Sequence, residues 1–254
     1  MKSTTKPYLL MTVILAALSF SNLAYAKKDK NSKMTKPPTA QENAAAQAAA
    51  APVADAKPVS YQINTVEGNE KFEDSSMAKS RTLITDGKST DLKSVNFGLR
   101  KKAVFGLVPV RVYVAQFFAA NPEKLIKTED GFAGSLQAAG PVQLRLSFLR
   151  DLPGPKIAES FKEGLEANKI NIKNLSPELT QTMNIVSSIS EFKKGESFSI
   201  TGSWTDTTST LILESSTEIK VITGTHELAN HIFSIWFGKP ADGKLADLKK
   251  ALIK

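Results

Sequence analysis

The sequence has no cysteine and only two histidines among its 254 residues. The first absence excludes a disulfide framework, a thiolate nucleophile and any Cys-based zinc site. It also removes the residue that a lipid-anchored precursor needs just after its cleavage point. The scarcity of histidine decides how HELANH, His226 to His231, is read. A zinc-protease helix needs histidines four apart, so that both imidazoles leave one face. A spacing of five turns the second about 140° from the first at 3.6 residues per turn. With no third histidine to complete a ligand set, no metal is expected, and the stretch reads as an amphipathic helix with Leu228, Ile232 and Trp236 inward. There is no Gly-rich phosphate loop and no G-x-S-x-G, and nothing groups a serine with a histidine and an acid. No cofactor is expected.

A membrane-spanning run is also missing. The apolar stretch LLMTVILAALSF, Leu9 to Phe20, is too short to cross a bilayer. It follows a basic start (Lys2, Lys6) and ends in Ala24-Tyr25-Ala26, a small-x-small pattern of the kind signal peptidases cut after. Residues 1–26 are therefore expected to be a signal peptide, with cleavage before Lys27 and a periplasmic or secreted bacterial product that keeps no transmembrane segment.

The formal charge of +8 is unevenly placed. Of the 33 basic residues, two lie in the leader and six between Lys27 and Val59, which leaves 25 against 22 acids from Ser60 onward. A basic tail on a near-neutral remainder argues for a solvated tether rather than a nucleic-acid platform. Residues 27–59 are Ala-, Lys- and Pro-rich with almost no large apolar side chain, so they cannot offset the entropy of ordering. They are read as a disordered tether, and 60–254 as one domain.

Within that domain, strands are expected over Leu92–Phe105, Val110–Phe118 and Val142–Leu149, with a turn near Gly106 and Pro109. Helices are expected after Pro153-Gly154-Pro155, where Ile157, Phe161 and Leu165 share a face, and after Ser176-Pro177-Glu178, a cap followed by proline at the first position. Arg150-Asp151 reads as an acid near a helix start plus a surface ion pair. SFSITGSW, TLILES and TEIKVIT read as strands, and HELANHIFSIWF and ADLKKALI as closing helices. Strands, helices, strands, helices give an α+β class with a largely antiparallel sheet and helices on one side. Tyr61, Trp204 and Trp236 read as packing residues.

Arg100 stands in the apolar stretch NFGLRKKAVFGLVPVRVYVAQFF, Asn96 to Phe118. Alternation puts Gly98, Arg100 and Lys102 on one strand face, with Phe97 and Leu99 on the other. Periodicity leaves two readings open. Arg100 is one member of a solvated basic edge, which periodicity alone favours, or it is a guanidinium at a pocket, where burial demands a polar or anionic partner.

The pieces FGLRKK, RVYVAQFF, LSFLRDL, FKEGLEAN, EFKKGESFSI and IWFGKPADGKLADLKKAL occur in an order that resembles the bacterial chalcone isomerase-like proteins, relatives of plant chalcone isomerase and of plant fatty-acid-binding proteins. The resemblance implies an open-faced β-sandwich: a long antiparallel sheet, a layer of helices, and a ligand cleft between them. It implies that Arg100 meets an oxyanion or a ligand carboxylate. It places Tyr113 where the plant enzymes carry a water-positioning threonine. It also shows departures. The catalytic tyrosine of those enzymes falls on Ile157, and their helix asparagine near Gly164. Three readings follow. The leading one is a non-catalytic binding module for a small hydrophobic, fatty-acid-like carboxylate, with Arg100 and Tyr113 as ligand-binding residues. The second is an isomerase, or intramolecular lyase, with Arg100 as oxyanion stabiliser. The third is a structural envelope domain with a filled core.

Overall fold

The structure of the protein, a computed structural model, describes residues 59–104 and 108–254. The expected leader, all but the last residue of the expected tether, and the chain around Gly106 lie outside them. Ten strands and five helices follow one another along the described residues. Strands β1 (Tyr61–Phe72), β2 (Ser75–Thr85), β3 (Lys88–Val104), β4 (Val108–Ala119), β5 (Val142–Phe148), β8 (Ser197–Trp204), β9 (Thr208–Glu214) and β10 (Ile219–Thr225) form one antiparallel sheet in that order. The two-residue strands β6 (Leu152–Pro153) and β7 (Glu191–Phe192) pair separately. A short helix α1 (Phe132–Ser135) follows β4, and α2 (Gly154–Ala167), α3 (Pro177–Ser188), α4 (Glu227–Phe237) and α5 (Gly243–Leu252) cover one sheet face. Among the described residues no helix is long and apolar enough to cross a membrane.

The strands and helices expected from Leu92 onward are present, with ends shifted by a few residues. Ser176 caps α3 by accepting from the Leu179 amide at 3.3 Å. Leu228, Ile232 and Trp236 are inward on α4, as the helical period requires. Pro109 is not in a turn: it pairs with Ala103 inside the β3–β4 hairpin, which the chain tolerates because proline loses only a donor there. Asp151 makes no ion pair with Arg150. Its carboxylate accepts the Lys194 amide at 2.7 Å, because the β6–β7 bridge brings that loop beside it.

The sheet is curled, so its two faces have different environments. Toward the helices, Tyr113, Ala115, Phe117 and Ala119 of β4 alternate into the main core with Leu144, Leu146, Phe198 and Ile200. Phe117, Phe132, Phe233 and Phe237 form an aromatic cluster beneath α4, with neighbouring centroids 4.9 to 6.4 Å apart. On the opposite face the β1–β2 hairpin folds over the middle of the sheet. A second core of Ala78, Leu83, Leu92, Phe118 and Ile212 lies there. Gln116 of β4 accepts the Ala78 amide at 2.9 Å and donates to its carbonyl at 2.7 Å, although β3 separates the two strands in the sheet. The curl is completed by two ion pairs that span this face, Arg81 (β2) with Glu214 (β9) and Arg145 (β5) with Glu67 (β1).

Candidate functional site

Helix α5 determines what happens at Arg100. It lies across β3 because Gly98 has no side chain: a Cβ there would stand 2.8 Å from both the Ala251 Cβ and the Leu248 Cδ1. Asn96, one turn of the pleat earlier, donates to the carbonyls of Leu252 at 3.3 Å and Lys254 at 2.6 Å and fixes the far end of the helix. With its C-terminal half seated on Gly98, the helix brings its N-cap, Asp242, over Arg100.

Arg100 faces the helices and is 7% exposed, so the solvated-edge reading does not hold. Its guanidinium donates through Nη1 to Asp242 Oδ1 at 2.9 Å and through Nη2 to Oδ2 at 2.5 Å. Nη1 also donates to the Lys101 carbonyl at 2.5 Å. This two-pronged pairing is the strongest common geometry between a guanidinium and a carboxylate. Burial works against the Arg100 charge, yet the bonds to Asp242 outweigh it and hold the group above its ordinary value. Burial likewise disfavours the Asp242 anion, but the bonds from Arg100 and the Leu245 amide win and hold its carboxyl below the usual aspartate range. Asp242 thus serves as helix cap, accepting the Leu245 amide at 2.8 Å, and as internal counter-ion.

Tyr113 is the direct cross-strand partner of Arg100, so the two side chains stand together on the helix side. A register shift beside this pair leaves Val112 unmatched on β4. Such a bulge re-aims neighbouring side chains. The Tyr113 hydroxyl accepts from Trp236 Nε1 at 3.0 Å, and its ring packs edge-on against that of Phe148. Burial pushes that hydroxyl up, which keeps it a neutral donor, while the Arg100 charge opposes the shift. Trp236 is a packing residue, as its burial shows, but it also orients the Tyr113 hydroxyl.

Between these groups lies a cavity of about 40 Å³, lined by Arg100, Tyr113, Ile157, Phe161, Ile235 and Leu245 among others. At about 30 Å³ of liquid volume per water, that is room for one. Small-molecule sites run from about 300 Å³ upward. Its mouth is crossed by Lys102, which donates to Glu163 at 2.8 Å and to Ser160 at 3.3 Å, tying β3 to α2. Helices α2 and α4 close over it tightly because Gly164 lets Ile235 approach: a Cβ at Gly164 would lie 2.7 Å from Ile235 Cγ2. Ile157 is 4% exposed on the cavity wall and carries no donor. Asn168 caps α2, donating from Nδ2 to the carbonyls of Gly164, Ser234 and Lys239 at 2.8, 3.1 and 3.1 Å. It is a clamp between α2 and the end of α4, outside the cavity lining. Among the described residues no group of His, Asp and Glu is placed to hold a metal ion.

The structure brings together Arg100 and Tyr113, the two residues singled out in the sequence, and adds Asp242, the bond from Trp236 and the Lys102–Glu163 pair. Asp242 was readable as an N-cap before GKLADLKKAL. Its pairing with a residue 142 positions away had no local signal.

A family model described as chalcone isomerase-like matches residues 70–253. No curated protein matches the sequence. Among solved structures, a fatty-acid binding protein of Arabidopsis thaliana superposes with a TM-score of 0.50 at 16% identity, over 66% of this chain and 92% of that one. At that identity the likeness is one of fold: a curled antiparallel sheet backed by helices.

Proposed function

The chain belongs to the chalcone isomerase-like family, and from that premise we propose that it is a non-catalytic binding protein for a small hydrophobic carboxylate of the fatty-acid class. The observation that carries this reading is the state of Arg100: a guanidinium 7% exposed, on an apolar wall, with both prongs engaged by a carboxylate. The site is built to recognise that group. In the structure its own Asp242 supplies it, and the Asp242 side chain is 36% exposed, at the edge where a ligand head group would arrive. A ligand carboxylate takes the place of Asp242, Tyr113 offers a neutral hydroxyl beside it, and the alkyl chain enters as α2 and α4 part over Ile157, Phe161 and Ile235. The shared fold of the Arabidopsis fatty-acid binding protein supports the ligand class.

The test is calorimetric titration of the full chain with laurate and palmitate, beside Arg100→Ala and Asp242→Asn. Arg100→Ala is expected to lose on the order of 2–5 kcal/mol of binding, much of it from the ligand charge left unpaired. Asp242→Asn removes the competitor and is expected to bind more tightly than wild type. An Arg100→Ala protein that binds as wild type would sink the reading.

One observation favours a second reading, a structural domain with a filled core: the cavity holds only about 40 Å³ and its arginine is already satisfied. On that reading neither fatty acid raises the melting temperature of the full chain. An isomerase has less support, because Ile157 and Gly164 stand where the resemblance places the hydrogen-bonding groups of the plant enzymes and neither side chain can supply them. Export to the periplasm or medium is part of the proposal and rests on the leader sequence. N-terminal sequencing of the mature chain should begin at Lys27.

A further inference from the structure

The face of the sheet away from the helices holds a second set of buried polar groups that the cleft does not use. Three strands contribute them by simple alternation. Gln143, Arg145 and Ser147 of β5 point away from the main core, as do Ser197, Ser199 and Thr201 of β8 and Glu214 of β9. Arg81 comes down from β2 to meet them and is 3% exposed. Between them is a cavity of about 250 Å³, some eight water volumes.

Its walls carry two arginines and a single carboxylate, that of Glu214. Arg81 gives Nη2 to Glu214, and its Nε has no partner among the described residues. Arg145 gives Nε to Ser197 at 3.2 Å and Nη2 to Glu67 at 3.1 Å, and its buried Nη1 has none among them. Glu67 holds Arg145 from the rim, 52% exposed, where solvent screens its charge. Two guanidinium groups therefore line a cavity that holds one sheltered carboxylate, which pairs with Arg81 alone, and each keeps an N–H without an acceptor among the described residues. The Arg81 guanidinium is pulled below its ordinary value, first by burial and also by the charge of Arg145, against the opposite pull of Glu214. An anion between the two arginines would reverse that strain and supply acceptors to both.

The remaining lining is rich in hydroxyls: Ser197 and Ser199 on β8, Ser215 and Ser216 after β9. These hydroxyls come from β8 and from the turn after β9, and add to the two unpartnered guanidinium N–H groups. A carboxylate offers two oxygens to such a set, whereas a phosphoryl group offers three. We propose that this cavity is a binding site for a phosphoryl oxyanion, held by Arg81 and Arg145 and by the hydroxyls of Ser197 and Ser199. It lies on the sheet face opposite the Arg100 cleft and does not depend on what that cleft binds.

The experiment is thermal unfolding of the full chain in sodium phosphate, in glycerol 3-phosphate, and in sodium chloride at matched ionic strength, beside Ser199→Ala and Arg145→Gln. Phosphate is expected to raise the melting temperature along a saturable curve that chloride does not reproduce. Arg145→Gln is expected to lose the response. The Ser199 side chain makes no hydrogen bond among the described residues, so Ser199→Ala should fold as wild type and need several-fold more phosphate for half-saturation. It keeps the test decisive should Arg145→Gln fail to fold. A response to glycerol 3-phosphate as well points to the phosphoryl group of a larger ligand, and a response to phosphate alone to the free ion. Equal effects of phosphate and chloride, or a Ser199→Ala curve that coincides with wild type, would overturn the proposal.

Discussion

Arg100 and Asp242 stand in different media, the guanidinium almost sealed and the carboxylate one-third open. That asymmetry sets what each substitution does. Asp242→Asn keeps a good helix cap, since asparagine caps as well as aspartate. It leaves a buried cation with a weaker acceptor. A loss of about 1–3 kcal/mol is expected in urea unfolding, below the figure for a fully buried pair because solvent reaches the carboxylate. The pH dependence follows from the lowered carboxyl value. An aspartate held below its unfolded value near 3.9 contributes stability that is complete above about pH 4 and is lost as pH falls through the depressed value. The Asp242→Asn variant should therefore show a flatter acid limb below about pH 4 than wild type, read from unfolding midpoints between pH 2 and 6. At Tyr113, removing only the hydroxyl with Phe leaves the Trp236 indole N–H without its acceptor in a buried place. A cost of about 1–3 kcal/mol is expected by the same measurement.

At the scale of elements, α5 is the piece whose position matters most, and its seat is a glycine. Gly98→Ala puts a methyl 2.8 Å from the Ala251 Cβ, which has no rotamer to yield. Overpacking of this kind costs about 1–3 kcal/mol. Amide exchange should quicken along α5 before it does in β3, and the Asp242 bond to Arg100 should loosen with the helix. Asn168→Ala removes four hydrogen bonds, one to α2 itself, one to α4 and two to Lys239 just after α4, and is expected to destabilise by about 2 kcal/mol in urea unfolding. Which elements were legible in the sequence follows from the same physics. Helices α2 to α5 announced themselves through caps and a 3.6-residue apolar period, and β4, β5, β8 and β9 through β-rich runs, whereas the single turn α1 carried no such signal. The β1–β2 hairpin did not. Its strand β1 is largely exposed, and its turn places Glu73 and Asp74 at φ of 51° and 69° where glycine or asparagine would have marked it. The next turn did carry a signal, Asp86-Gly87 at φ of 48° and 78°, the pair that a tight hairpin favours. The polar alternation of VQLRLSF and SFSITGSW was legible as strand but not as a buried polar face, because nothing local says that a distant hairpin will cover it.

For the whole molecule, the two ion pairs that cross the sheet hold its curl. Glu214→Gln leaves Arg81 buried without a counter-ion, and removing one partner of such a pair costs about 3–5 kcal/mol. Replacing both, as Arg81→Met with Glu214→Leu, should recover most of that loss, since an apolar pair of similar volume is often neutral. A double-mutant cycle in urea measures the difference. The opposite face carries a different consequence, one of selectivity. On the binding role proposed above, Asp242, tethered beside Arg100, competes with a ligand for it at an effective concentration on the order of millimolar or more. Against such a resident rival, an external acid with only a head group to offer, such as acetate, gains no net advantage. A long-chain acid wins by the apolar surface it buries once inside. In that proposed role the aspartate at the tip of α5 is a filter, passing over charge alone and admitting only charge joined to length.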